Sequence, residues 1–265
     1  MVDLAAVLDD LGAESAALDR LVGGLAPHAW AMPTPAPGWT LAHQIAHLAW
    51  TDDQVRLAAS DPAGFAVAVA EAAADPDGFV DRAAERGAAE PPDRILAGWR
   101  AGRDAVAKVL AAIPAGGRLP WYGPPMSAAS MAGARIMETW AHGQDVADTL
   151  GVRLPPTARL RHVARIGVRA RDYAYFVHGL RPPEREFRVE LSGGPEVGGA
   201  WTYGPEDAVE RVTGPLLDFC LLVTRRRHAD DLAVRAEGDE AVRWLEIAQC
   251  YAGPPGPGRT PGGFA

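Results

Sequence analysis

Four side chains able to bind metal occur as two pairs of equal spacing. His43 and His47 stand four residues apart in TLAHQIAHLAW, and Glu138 and His142 four apart in RIMETWAHG. On a helix, residues i and i+4 share a face and lie about 6 Å apart along the axis. If both faces point into one bundle, imidazole nitrogens and a carboxylate converge there. Two imidazoles and one carboxylate form the donor set of an open catalytic zinc site, which keeps a position for water or substrate. The first pair lacks the Glu of H-E-x-x-H, so a zincin is excluded. His47, Glu138 and His142 are therefore candidate ligands. His43 has three readings: a fourth ligand, a group that orients the site, or a histidine of the helix's first turn.

The elements that must carry these residues follow from apolar periodicity. Leu4, Val7, Leu8, Leu11, Leu18, Leu21 and Val22 mark a helix over 3–22, ended by Gly23-Gly24. A link, PTPAPG, leads to Trp39 and a helix over 40–59, with Thr40 as N-cap and His43 at the third helical position. Residues 61–90 have moderate helical character broken by Pro62, Pro76 and glycines. Pro91-Pro92 introduces a helix running to Val109 or Ile113. PAGGRLPWYGPP then precedes a helix over 127–150, stopped by Gly151 and Pro155-Pro156. Four helices with one long crossover fit an antiparallel four-helix bundle over 1–151.

The rest of the chain changes character. Residues 157–179 read as a helix, and FRVEL and AWTYG as short strands joined by a glycine-rich turn. Helices are expected over 206–223 and 239–250, with LAVRA a candidate strand. This is a small α/β domain over 152–252, making the chain α+β, and residues 253–265 read as a Pro/Gly-rich tail.

Charge and composition bound the function. The 265 residues carry a formal net charge of -8, from 26 basic and 34 acidic side chains. Residues 1–150 hold 10 basic and 19 acidic groups, the remainder 16 and 15, so the acidity belongs to the helical part. That suits a bound cation and disfavours a duplex-binding surface. Cys220 and Cys250 are too few for a disulfide framework. The start MVDLAAVLDD has acids where a secretory signal has a basic flank, and no run of about 18 apolar residues lacks a charge. The expectation is a soluble cytoplasmic protein, monomer or weak homodimer, that binds neither membrane nor nucleic acid. Lys108 is the only lysine, and nothing suggests Schiff-base chemistry.

PGWTLAHQIAHLAWTDDQV and ARIMETWAHGQDVADTLG resemble the DinB-like proteins of the mycothiol-dependent maleylpyruvate isomerase superfamily. The likeness extends through the second domain to the ending AQCYAGPPGPGR, and is greatest to the actinobacterial metal-binding proteins of that group. The resemblance implies a four-helix bundle holding a divalent metal, zinc above others, through His47, Glu138 and His142. His43 does not align with a required ligand. It further implies a thiol-dependent isomerase or transferase acting on a small molecule, with mycothiol a possible cosubstrate, and a second domain similar to a sterol-carrier-like unit.

Such chemistry needs a thiolate, stabilisation of a developing enolate and cations for carboxylates. Candidate catalytic groups are Asp145, three residues past His142, and the run Arg225, Arg226 and Arg227. Arg135, one turn before Glu138, reads as a surface arginine or a substrate clamp, and Asp52-Asp53 as an exposed acidic pair. Trp50, Trp121, Tyr122, Met126, Met131 and Trp140 read as a pocket wall or as helix packing. The alternatives are a metal-dependent hydrolase or lyase without a thiol, and a protein whose metal is structural.

Overall fold

Local capping sets where the first helices begin. Asp3 accepts the Ala5 amide at 3.0 Å and starts α1 (Leu4–Val22). A 3-10 turn (Pro27–Ala31) and a constrained loop then lead to α2 (Leu41–Ser60). A computed structural model describes residues 3–254, 256 and 258–263, divided into the units Met1–Arg153 and Leu154–Ala265.

In the first unit α2 is followed by α3 (Pro62–Ala74), α4 (Phe79–Ala88) and α5 (Pro92–Ala111). Two-residue strands β1 (Arg118–Leu119) and β2 (Met126–Ser127) pair antiparallel before α6 (Ala128–Leu150). Ser127 caps α6, and Gly151, at φ 64°, ends it in the left-handed conformation that glycine adopts without steric cost. α1 packs on α6, and α2 on α5, α4 and α6. One apolar cluster joins Leu18, Val22, Leu41, Ile45, Leu48, Trp99 and Val146; another joins Val7, Leu11, Val55, Val106, Leu110, Met131 and Ile136. Each fully buried Leu or Ile there contributes roughly 1.5–3 kcal/mol. These clusters hold α2 and α6 in one helical core with α1 and α5.

The crossover differs from the broken segment expected over 61–90. Pro62 sits in the first turn of α3, where its missing N–H costs nothing, and Asp61 accepts the Gly64 amide at 3.0 Å. Asp75 accepts the Gly78 amide at 3.2 Å and pairs with Arg82 at the start of α4. Gly87 lets α4 approach α2: a Cβ there would fall 2.8 Å from the Ala46 Cβ. Residues that read as breakers are caps and a contact point.

Asp19 on α1 receives Arg100 Nε at 3.0 Å and Arg103 Nη2 at 2.7 Å from α5. The Arg100 hydrogen bond, against some burial, lowers its carboxyl below the ordinary 3.8. A carboxyl depressed in the folded state stabilises above its unfolded pKa and loses that contribution as pH falls through the folded one. Asp19→Asn should therefore destabilise the protein at pH 7 and have little effect near pH 2, as read by urea midpoints at both pH values.

The second unit holds α7 (Leu160–Arg169), α8 (Arg171–Val177), β3 (Phe187–Ser192), the single turn α9 (Gly194–Val197) and β4 (Ala200–Tyr203). β5 (Glu210–Pro215), α10 (Leu216–Val223), a 3-10 turn (Ala229–Asp231), β6 (Arg235–Glu237) and α11 (Asp239–Ile247) complete it. The sheet order is β4-β3-β5-β6. β3 and β5 are parallel, with Val189 opposite Val212, and the outer pairs antiparallel. Three expectations change here. Residues 157–179 break at Ala170 into two helices. Residues 206–223 form a strand and then a helix, because alternate burial of Glu210 and Val212 pairs β5 with β3. The LAVRA strand shifts to Arg235–Glu237. Glu210 is buried because its Oε2 accepts the Ala241 amide at 2.8 Å in the first turn of α11. In the stretch 253–265 the described residues form no helix or strand, and positions 255, 257, 264 and 265 lie outside the described residues. No helix among the described residues is long and apolar enough to cross a membrane.

Candidate metal centre

α2 presents His47 and α6 presents Glu138 and His142 to one point. Glu138 Oε2 lies 3.5 Å from His47 Nε2 and 3.3 Å from His142 Nε2, and one ligand atom from each residue lies within 4.8 Å of the others. Metal–ligand bonds of about 2.1 Å at tetrahedral angles put neighbouring donors about 3.4 Å apart, so the set fits a divalent ion. The Glu138 side chain keeps 23% of its surface exposed against 9% and 11% for the two histidines. The centre therefore opens on the carboxylate side. Burial opposes ionisation of Glu138, but hydrogen bonds from His142 and His47 outweigh it and hold the carboxyl well below its usual range.

The surrounding groups treat the two imidazoles differently. His142 Nδ1 lies 2.5 Å from Gln44 Oε1, and its ring stacks on Trp39 with centroids 5.8 Å apart and planes 15° apart. His47 Nδ1 is buried without a hydrogen-bond partner among the described residues, and the rings of Trp39 and Trp50 flank the imidazole with centroids 5.2 and 5.8 Å away. Trp39 is itself anchored, its Nε1–H donating to Asp81 Oδ1 at 2.9 Å.

His43 has both nitrogens occupied elsewhere. Its Nδ1 accepts the Thr40 amide at 3.3 Å and contacts Thr40 Oγ1 at 2.8 Å, while Nε2 meets Glu85 Oε2 at 2.8 Å. Of its three readings the structure carries the last: it caps α2 and links it to α4.

Residues 11–147 match the family described as the mycothiol maleylpyruvate isomerase N-terminal domain, a span that holds the whole triad. The chain belongs to this family. Residues 183–237 match a second family, described as wyosine base formation. Over 259 residues the chain is 56% identical to Uncharacterized protein Rv0036c of Mycobacterium tuberculosis strain H37Rv, covering 98% of this chain and all of that protein. The protein MT0041 of strain CDC 1551 / Oshkosh matches to the same extent. A crystal structure of the mycothiol-dependent maleylpyruvate isomerase superposes with a TM-score of 0.55 at 15% identity, covering 89% of this chain and 93% of the other. A histidine-to-alanine mutant of that enzyme superposes equally well. At that identity the likeness is one of fold.

Other residues around the triad of this family member depart from their sequence reading. Asp52 and Arg135 are neither exposed nor free to clamp a ligand. They form a buried pair, Arg135 Nε to Asp52 Oδ1 at 2.9 Å, that ties α2 to α6 beside the ligands. Burial pushes the Asp52 carboxyl up against the pull of Arg135. Beyond His47 runs a continuous aromatic series: Trp50 meets Phe79 and Tyr122, and Phe65 stacks on Trp121. Tyr122 donates to Gln54 Oε1 at 2.8 Å, and burial pushes its phenol up to about 12. These rings are packed together, yet all but Phe65 keep part of their surface open.

Asp145 is fully buried on α6, its carbonyl accepting from Thr149 Oγ1 at 2.9 Å. Arg225, Arg226 and Arg227 follow α10 in the second unit, half-buried; Arg225 turns the chain at φ 57°. Arg226 Nη1 donates to the Thr224 carbonyl at 2.8 Å and Arg227 Nη1 to that of Arg226 at 2.7 Å. Gln44, Thr34 and Trp39 were missed as site residues. Gln44 precedes His47 by one turn, the spacing that could have raised it, but a glutamine on a helix ordinarily reads as surface.

Proposed function

We propose that the chain is a divalent-metal-dependent enzyme of the thiol-dependent isomerase or transferase type, with zinc as the metal. A small thiol such as mycothiol is the cosubstrate and a small molecule the substrate. The observation that carries the reading is the convergence of His47, Glu138 and His142 at donor spacings suited to one ion, open on one side. A divalent ion in such a site lowers the pKa of a bound thiol or water toward neutrality. The chain's own residues hold the donors, stack the Trp39 ring on His142 and place the Trp50 ring beside His47. Family membership supports the thiol, since the family is described by a mycothiol-dependent isomerase. Asp145 as a proton-handling group and Arg225, Arg226 and Arg227 as contacts for substrate carboxylates belong to the same proposal. So do cytoplasmic location and a monomeric or weakly dimeric state.

The test is turnover of electrophiles bearing an activated double bond, with and without a small thiol. Protein purified without chelator should carry about one divalent ion per chain. Turnover should need the thiol, stop on chelation and return with zinc. Turnover that ignores the thiol would instead assign a hydrolase or lyase. A bound ion without turnover of any electrophile would leave a structural metal.

A further inference from the structure

Within the reading of His47, Glu138 and His142 as metal ligands, on which this inference rests, we propose that Gln44 is a positioning residue. It fixes which nitrogen of His142 faces the metal. The chain of hydrogen bonds has a direction set at its far end. The Trp39 carbonyl can only accept, and it takes Thr34 Oγ1–H at 2.9 Å and the Thr34 amide at 2.8 Å. The Thr34 oxygen is then free to accept, and Gln44 Nε2 donates to it at 2.9 Å. With its amide nitrogen committed, Gln44 must present Oε1 to His142, 2.5 Å from Nδ1. Nδ1 therefore carries a proton whether or not the ring is charged, and Nε2 is the nitrogen turned to Glu138 Oε2, where an ion would take the place of any proton it holds.

The arrangement is rigid as well as directional. Gln44 has no exposed surface. The loop carrying Thr34 and Trp39 is closed on itself by the Pro33–Thr40 bridge and by the Leu41 amide on the Met32 carbonyl at 3.1 Å. The same Trp39 that ends the hydrogen-bond chain stacks on the His142 ring. Among the described residues His47 has no equivalent support at Nδ1. Control of ligand geometry is thus concentrated on His142, and a hydrogen-bonded partner of a ligating histidine fixes its tautomer and ring plane.

The test measures zinc affinity of the full-length protein by competition with a chromogenic chelator, together with the His142 Nδ1–H resonance in nitrogen-15 spectra. Gln44→Leu, similar in size but unable to accept, should weaken zinc binding about 10–100-fold and remove the protected Nδ1–H signal. Gln44→Glu keeps an acceptor and should restore both. Thr34→Val frees the amide to rotate and should give a smaller loss, a second route should Gln44→Leu fold poorly. A folded Gln44→Leu protein with unchanged zinc affinity and an unchanged Nδ1–H signal would overturn the proposal. So would equal losses in Gln44→Leu and Gln44→Glu. Absence of zinc binding by the unsubstituted protein would instead reject the metal reading; the Nδ1–H signal, recorded without metal, still decides the role of Gln44.

Discussion

Glu138→Gln is expected to abolish zinc retention, while His43→Ala leaves it intact. Both residues lie close to the histidine rings, but their surroundings differ. Glu138 Oε2 is the atom shared by both short donor–donor spacings, and the two imidazoles already hold it ionised. An amide oxygen has nearly the same shape but no charge, so Gln preserves packing and removes the anionic donor. The loss in affinity should exceed the ~10–100-fold typical of groups that only support ligands. It should also appear in stability, because a ligand bound only by the folded state adds about 2.7 kcal/mol at a concentration 100 times its Kd. Zinc should raise the Tm of the unsubstituted protein and leave that of Glu138→Gln unmoved. His43→Ala should start from a lower Tm, since losing a helix cap costs typically ~1 kcal/mol, yet show the full rise with zinc. Stoichiometric zinc in Glu138→Gln, or in both His47→Ala and His142→Ala, would remove the centre from this protein.

The contrast between Glu138 and His43 shows what spacing alone can decide. The four helices that make the bundle follow from apolar periodicity, and the i, i+4 pairs placed the ligands on two of them. Periodicity could not choose between His43 and His47, because both occupy the same face. That choice depends on Glu85 and Thr40, one of them 42 residues away. Gln44, Asp52 and Arg135 were unreadable for a related reason. A polar side chain on a helix reads as solvated unless its partner is known, and partners on α2 and α6 are more than 80 positions apart. The crossover and β5 were misread differently. Pro62 and Gly87 have opposite meanings inside an element and at its first turn or contact point, and only tertiary packing separates these cases.

Breaking the buried Asp52–Arg135 pair should give a large loss of stability. Arg135→Met is expected to destabilise the protein by about 3–5 kcal/mol, because it leaves a carboxylate buried without its counter-charge. Asp52→Leu should be comparably damaging, for the converse reason. The double variant should recover much of the loss, since well-packed apolar residues often replace a buried pair at little cost. Only the full cycle separates the worth of the pair from the cost of an orphaned charge. A pH dependence distinguishes this mechanism from simple loss of packing. Burial already raises the Asp52 carboxyl while Arg135 pulls it down, so removing the guanidinium should raise it further. A group whose folded pKa lies above its unfolded one costs stability as pH rises through the folded value. Arg135→Met should therefore regain stability relative to the unsubstituted protein on going from pH 8 toward pH 5, followed by urea midpoints of the helical signal. A loss that is the same at both pH values would show that the methionine fits badly, with no orphaned carboxylate involved. Because the pair ties α2 to α6 one turn before Glu138 and just past His47, an orphaned charge there should also disturb the ligands, and zinc should bind the double variant better than either single one.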